Sequence, residues 1–497
     1  MNEIRFHPFL FQVLVSLFLF WAITKWLCKP AANKKLPPSP WKLPILGNLH
    51  QLGSLPHRNL QSLAKKHGPL MLLHFGTMPT LVVSSADAAR EIMKTHDLSF
   101  ADRPQSSVTG RLLYNFKDVS FAPYGEYWRQ LKSICVLQLL SNKKVQSFNS
   151  IREEATAFLV KKIQKSSFPV NLSELFAELS SDVVCKSAFG QKYSEGENGK
   201  KFLSLSTELL ELLGSLPIGD FTPGLSWISR FNGFDARVDK LSKELDEFLE
   251  RVIRERMETP EKEKNGANFV DILLDIYQSN SAGVSIHRDS IKAIILDVYA
   301  AGTESTPTVL EWAMTELLRH PSVMKKLQTE VREIVKDKQD ITENDLEKML
   351  YLKAVIKETL RFHTPVPLLA PRVARKDVKI MGYDISAGTM VITNAWAIGR
   401  DPVSWDEPEK FEPDRFVNSS IDFKGLDFEL IPFGAGRRGC PGIAFAMATI
   451  EFVLANLVQK FDWKLPDKGK ELGMKERPGI TLHIDVPLLA AAIQYHS

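Results

Sequence analysis

The stretch PFGAGRRGCPG, Pro432–Gly442, constrains this chain more than any other part of it. One cysteine stands among four glycines and two arginines. Glycines allow a tight turn and the close approach of backbone to a flat ligand. The next segment, GIAFAMATIEFVLANLVQKF, has the apolar spacing of an amphipathic helix, with Pro441 suited to its first position. Cys440 is therefore expected at a helix N-terminus. There the macrodipole, nearby backbone N–H groups and Arg438 would favour a thiolate.

Such a loop needs a large scaffold, and the chain has 497 residues. Its charge is balanced, 63 basic against 59 acidic residues, which argues against a nucleic-acid binder. The other cysteines, Cys28, Cys135 and Cys185, form no C-x-x-C pair, so a zinc ribbon or disulfide scaffold is not indicated.

Phe6–Thr24 contains no Asp, Glu, Lys or Arg and is long enough to cross most of a bilayer core. Lys25, Lys29, Lys34 and Lys35 follow it, against Arg5 before it, which places the remainder on the cytoplasmic side. The expected organisation is a membrane anchor over 1–28, a proline-rich hinge over 29–47 and one cytosolic domain over 48–497. That domain reads as mainly α with small β-sheets. Met71–Ser85 reads as two strands around a turn at Gly76–Pro79, and VKIMGYDISAGTMVITNAWAI as a second strand group. The longest helix is expected from about Ser290 to His320, ended by Pro321. The polar stretches 191–200 and 259–268 read as surface loops.

In that long helix, LDVYAAGTESTPTVLEW puts Val298, Ala301, Gly302 and Ser305 on one stripe. Small side chains at 301 and 302 either leave room for a ligand or let a neighbouring helix approach. Pro307 removes an N–H from mid-helix and should bend or widen it. An isolated cysteine beside a glycine turn is usually an inert buried thiol. The complete spacing Phe433-x-x-Gly436-x-Arg438-x-Cys440-x-Gly442 instead fits axial ligation of haem iron, with the arginine on a propionate.

That spacing resembles the haem-binding signature of the cytochrome P-450 superfamily, and further landmarks follow the family's order across the chain. KETLR supplies Glu358 and Arg361, and FEPDRF supplies Arg415. In the family the matching residues form a buried lock, here with Asp414 where Glu is common. WRQLK supplies Trp128 and Lys132, and APRVA supplies Arg372, as propionate-side candidates. The helix matches A-G-x-(D/E)-T-(T/S) with Ala301, Gly302 and Glu304 but carries Ser305 where the family usually has Thr.

The resemblance implies a cytochrome P-450 fold and haem b ligated by Cys440. It also implies catalytic roles for Glu304 and Ser305, with Thr306 as a poorer substitute for the hydroxyl. The pocket would be lined by Val298, Ala301, Gly302, Val366 and Leu369. NAWAIGRDP and the anchor resemble plant microsomal members, which implies an endoplasmic-reticulum membrane and electrons from an NADPH-dependent flavoprotein reductase. Arg129, Lys132, Lys143, Lys144 and Arg437 would offer that partner a basic face. The substrate would be a small lipophilic plant metabolite such as a terpenoid, an indole alkaloid or a coumarin-like phenolic. Asp297 is expected to bond backbone or water rather than a substrate amine. Competing readings are a haem-thiolate isomerase or dehydratase that uses no O₂, and a non-catalytic haem or ligand binder.

Overall fold

The computed structural model describes residues 8–27, 34–166, 169–192, 196–215, 217–258, 268–279, 286–336, 338, 340–466 and 472–495. Among the described residues helices dominate, with three small sheets beside them. The centre is the helix Arg288–Arg319, whose 32 residues extend ~48 Å at ~1.5 Å each. It is buried without a break from Thr306 to Leu318. His320 closes it and Pro321 opens the next helix at a position where no N–H is needed.

The helix Leu172–Phe189 packs along this central helix at very short range. A Cβ added to Gly302 would lie 2.6 Å from Val184 Cγ2, and Ser180 Oγ donates to the Gly302 carbonyl at 2.8 Å. The helix through Pro307 is continuous α, so the widened turn expected there does not form. Hydroxyls on the same turns bond carbonyls four residues back, Thr303 Oγ1 to Tyr299 O, Ser305 Oγ to Ala301 O and Thr308 Oγ1 to Glu304 O, none of them the Thr303 carbonyl that Pro307 leaves without its N–H donor.

The strands are β1 (Leu70–Phe75), β2 (Met78–Val83), β3 (Val170–Asn171), β4 (Arg372–Val373), β5 (Val378–Ile380), β6 (Tyr383–Ile385), β7 (Met390–Thr393), β8 (Phe461–Lys464) and β9 (Leu489–Gln494). The largest sheet has the order β1-β2-β7-β4. β2 and β7 run parallel, with Thr80 opposite Met390, and β4 is antiparallel to β7, with Arg372 opposite Val391. This pairing fixes Arg372 from the sheet side of the cysteine loop.

Several boundaries differ from expectation. The turn between β1 and β2 is Gly76–Thr77 alone, and Pro79 is already in the strand opposite His74. Residues 196–200 are helical, as the start of Gly196–Leu213. Residues 259–267 lie outside the described residues. The described part of the hinge is docked on the domain: Lys34 Nζ reaches Asp377 at 3.1 Å, Lys35 N donates to Asp384, and Leu72 N donates to Pro38 O.

Pro8–Leu27 is a helix of 20 residues, ~30 Å long by its rise. Gln12–Trp21 within it is apolar but for Gln12 and Ser16, and its side chains are exposed. Among the described residues, one helix, Ile443–Lys460, is long and apolar enough to cross a membrane, but 61% of it is buried inside the domain, as befits a core helix.

Candidate active site

The cysteine loop is built by glycines at two positions where other residues would fail. Gly434 and Gly436 have φ of 66° and 68°, in the left-handed region. A Cβ on Gly436 would also come within 2.2 Å of Met93 O. A 3-10 turn over Gly436–Arg438 and a bond from Cys440 N to Phe433 O (3.0 Å) return the chain on itself. Phe433 is held edge-on against Phe423, with ring centres 5.6 Å apart.

The following helix begins at Ile443, so Pro441 is not its first residue. Gly442 caps it instead. Its carbonyl accepts the first helical bond from Ala446 N, while its own N–H donates to Cys440 Sγ at 3.3 Å. Cys440 is both exposed and desolvated: burial pushes its thiol pKa up, with the Gly442 N–H and Lys132 pulling it down. The two properties coincide where a side chain lines a recess inside the fold. Burial outweighs the local dipoles, so ionising this sulfur calls for a cationic ligand.

Beside the loop stand three buried arginines. Arg438 donates to Ala101 O and Ala122 O, both at 2.6 Å, and lies 4.1 Å from the Trp128 ring centre. Arg372 bonds Asp97 at 3.0 Å and Ala435 O at 2.6 Å. Arg103, which the sequence did not single out, donates to Ser120 O, Ala370 O and Pro371 O. Trp128 Nε1 donates to Val119 O at 2.9 Å, and Lys132 Nζ to Gly439 O at 2.6 Å, next to the cysteine.

Burial lowers the pKa of all three arginines, Arg438 to about 10. At Arg103 and Arg438 the charge of neighbouring guanidiniums adds to the effect. Buried like charges of this kind favour an anionic partner. A soft sulfur ligand beside a cluster of cations is the donor set that a metal on an acidic macrocycle requires, so these residues fit haem.

On the central helix Ala301 is exposed and Ser305 half-buried, although the helix lies in the middle of the domain. Thr306 is buried, facing away. Gly302 serves close helix packing against Val184, whereas Ala301 leaves open space. Val298, Val366 and Leu369 are half-buried. Asp297 Oδ2 accepts from Val119 N at 2.7 Å and Ser120 N at 3.1 Å, so it tethers a loop as a backbone acceptor. Burial raises the pKa of Asp297 and of Asp118; at Asp118 the charge of Asp297 adds.

Glu304 accepts at Oε2 from Thr481 Oγ1 (3.0 Å) and from His483 Nε2 (2.9 Å). His483 lies far away in the sequence and no spacing pointed to it.

Glu358, Arg361 and Arg415 do meet. Both Glu358 oxygens take Arg361, at 2.7 and 2.8 Å, and Oε1 also takes Arg415 Nε at 3.1 Å. Asp414 is exposed and paired with Lys326. Of the expected basic face, Arg129 and Lys143 are exposed. Arg437 is paired with Asp97 at 3.0 Å. Lys144 Nζ lies 4.7 Å from the Phe148 ring centre.

The sequence matches the family model for Cytochrome P450 over residues 37–489. A relative from Mentha piperita, Cytochrome P450 71A8, is 64% identical over 99% of this chain and 97% of its own length. The tabersonine/lochnericine 19-hydroxylase of Catharanthus roseus is 50% identical over 96% of each. A solved zebrafish cytochrome P450 with progesterone superposes with a TM-score of 0.77 at 26% identity, covering 88% of this chain and 99% of that one. With the cysteine loop, the buried arginines and these matches in agreement, the chain belongs to the cytochrome P450 family and is a monooxygenase of the plant type.

Proposed function

We propose that this chain oxidises a small lipophilic plant specialised metabolite, using electrons passed from NADPH by a flavoprotein reductase, at the endoplasmic-reticulum membrane. The observation that carries the reading is Cys440, a desolvated yet accessible sulfur on a loop beside which the buried Arg103, Arg372 and Arg438 stand. Cys440 would hold the haem iron, and the three arginines, with Trp128 and Lys132, would receive the propionates. Bound there, haem supplies reductive activation of O₂ for oxidation of a C–H bond.

The chain's own residues do the remaining work. Ala301 leaves space over the recess, and Val298, Val366 and Leu369 supply apolar lining for the substrate. Ser305 Oγ, which donates to Ala301 O, can turn to hold a water and pass a proton to the recess. Glu304 is the carboxylate within reach of the same helix turn that can exchange that proton. Asp297, already bound to two backbone N–H groups, is not available to a substrate amine.

The apolar helix Pro8–Leu27, with exposed side chains along Gln12–Trp21, supports a single membrane anchor. A relative named for hydroxylating tabersonine and lochnericine supports an indole-alkaloid type of substrate, and terpenoid and coumarin-like phenolic compounds share the same lipophilic chemistry. The test is to incubate microsomes containing the full chain and reductase with such a panel, NADPH and ¹⁸O₂. Substrate-dependent NADPH use with a heavy-oxygen or desaturated product is expected. Product formed equally without O₂ and NADPH would replace this reading with an isomerase.

A further inference from the structure

Glu304, Thr308 and Glu311 are spaced i, i+4, i+7 and share one stripe of the central helix. His483, on the C-terminal loop, is inserted along that stripe. Its Nε2 is 2.9 Å from Glu304 Oε2, its Nδ1 3.3 Å from Glu311 Oε2, and Thr308 Oγ1 lies 3.1 Å from Nε2. Both ring nitrogens therefore face carboxylates, a geometry that only the doubly protonated imidazolium satisfies with two donors. The loop is tied down on either side. Trp312 Nε1 donates to Leu482 O at 2.6 Å, Ile484 N to Glu311 Oε2 at 3.3 Å, and Thr481 Oγ1 to Glu304 Oε2. Glu311 Oε1 is taken by Ser173 Oγ from the neighbouring helix.

We propose that His483 is a positioning residue for Glu304: from the C-terminal loop it grips Oε2 together with Thr481, leaving Oε1 as the oxygen that exchanges protons with the oxygen-activation turn. This inference rests on the reading of Glu304 as the proton-exchanging acid. The contacts support the division of labour. Both bonds to the Glu304 carboxylate end on Oε2, and Oε1 has no hydrogen-bond partner among the described residues. Glu304 is 33% exposed, whereas Glu311 is 5% exposed, so the clamp leaves the first carboxylate open and the second closed. The charged groups facing His483 are Glu304 and Glu311 on the central helix, with Arg477 of the C-terminal loop acting on Glu304.

The two carboxylates outweigh burial and raise the His483 pKa to about 9, while His483 and Thr481 outweigh burial at Glu304 and lower its pKa. The imidazolium thus persists through neutral pH. A group whose folded pKa is raised stabilises the fold below its unfolded pKa of about 6.5 and loses that contribution as pH rises through about 9.

The experiment uses the full-length haem-loaded protein with reductase and an accepted substrate. Four variants are compared with the wild type: His483→Gln, His483→Arg, Glu304→Gln and the double variant Glu304→Gln/His483→Gln. Product per NADPH and hydrogen peroxide are measured from pH 6.5 to 9.5, and thermal midpoints over the same range. His483→Gln should lower product per NADPH about 10-fold with a matching rise in peroxide, at unchanged haem content and substrate affinity. His483→Arg, which stays charged, should restore coupling. It should also abolish the wild type's fall in coupling and in thermal midpoint near pH 9. The double variant should be no less coupled than Glu304→Gln. If Glu304→Gln uncouples but His483→Gln does not, His483 is structural and the inference is overturned. If Glu304→Gln leaves coupling intact, the reading of Glu304 itself is overturned, and the inference with it.

Discussion

Removing the carboxylate of Glu358 should destabilise the domain more than any other single change to its surface-remote ion pairs. Glu358 and Arg361 are both fully buried. Glu358 Oε2 accepts from Arg361 Nε at 2.7 Å. Oε1 accepts from Arg361 Nη2 at 2.8 Å, Glu412 N at 2.7 Å and Arg415 Nε at 3.1 Å. In Glu358→Ala, Arg361 keeps the carbonyls of Gly399, Pro408 and Lys410 but has no anion. Breaking a buried pair by removing one partner costs ~3–5 kcal/mol, against a total stability of ~5–15 kcal/mol for a folded domain. Glu358→Gln keeps the shape and one acceptor, so its cost should be lower, ~1–3 kcal/mol. Asp414→Ala, an exposed pair with Lys326, is the control and should cost under ~1 kcal/mol. Urea unfolding of the detergent-solubilised protein, followed by tryptophan fluorescence, measures all three, and haem content reports on the nearby loop. An alanine variant within ~0.5 kcal/mol of wild type, the range of an ordinary surface change, would refute the argument that this triad is a closed charge network.

Ser305→Ala should leave haem binding intact while product per NADPH falls ~10–100-fold and peroxide rises; unchanged partition would remove the hydroxyl from the proton path. Gly302→Ala places a methyl 2.6 Å from Val184 Cγ2, and overpacking of this kind costs ~1–3 kcal/mol. Adding Val184→Ala should recover much of that loss in a melting experiment, which a residue needed only for ligand space would not show. Glu476 is buried between His57 and Arg58, at 3.0 and 2.7 Å, and these outweigh burial to hold its carboxyl pKa at about 2. Its stabilisation is therefore present above its ordinary value of 4.5 and lost as pH falls toward 2. Glu476→Gln should flatten the thermal midpoint over that window.

What the sequence made legible was local. Cys440, Gly436 and Arg438 lie within five residues, so one spacing carried their chemistry. The strand pair around Gly76, and the presence of a strand group over 378–398, were readable for the same reason. Glu358 and Arg361 share a helix turn, but their burial with Arg415 was visible only through resemblance, since the pair alone resembles any solvated helix pair. Arg103 and His483 gave no signal: each is defined by a distant partner, Ala370 at 267 residues and Glu304 at 179 residues along the chain. Pro441 misled by two positions: the helix starts at Ile443, with Gly442 as its cap. At Pro307 the expected widening is absent, since the chain runs through it as continuous α-helix.

The most direct measurement is the carbon monoxide difference spectrum of the reduced, full-length protein, taken on wild type and on Cys440→Ala at matched haem content. Cys440 as the thiolate ligand requires the thiolate-type band in the wild type and its loss in the variant, with any retained haem shifted to the position of a neutral ligand. A Cys440→Ala protein that keeps the thiolate-type band with full haem would contradict the assignment and everything built on this loop.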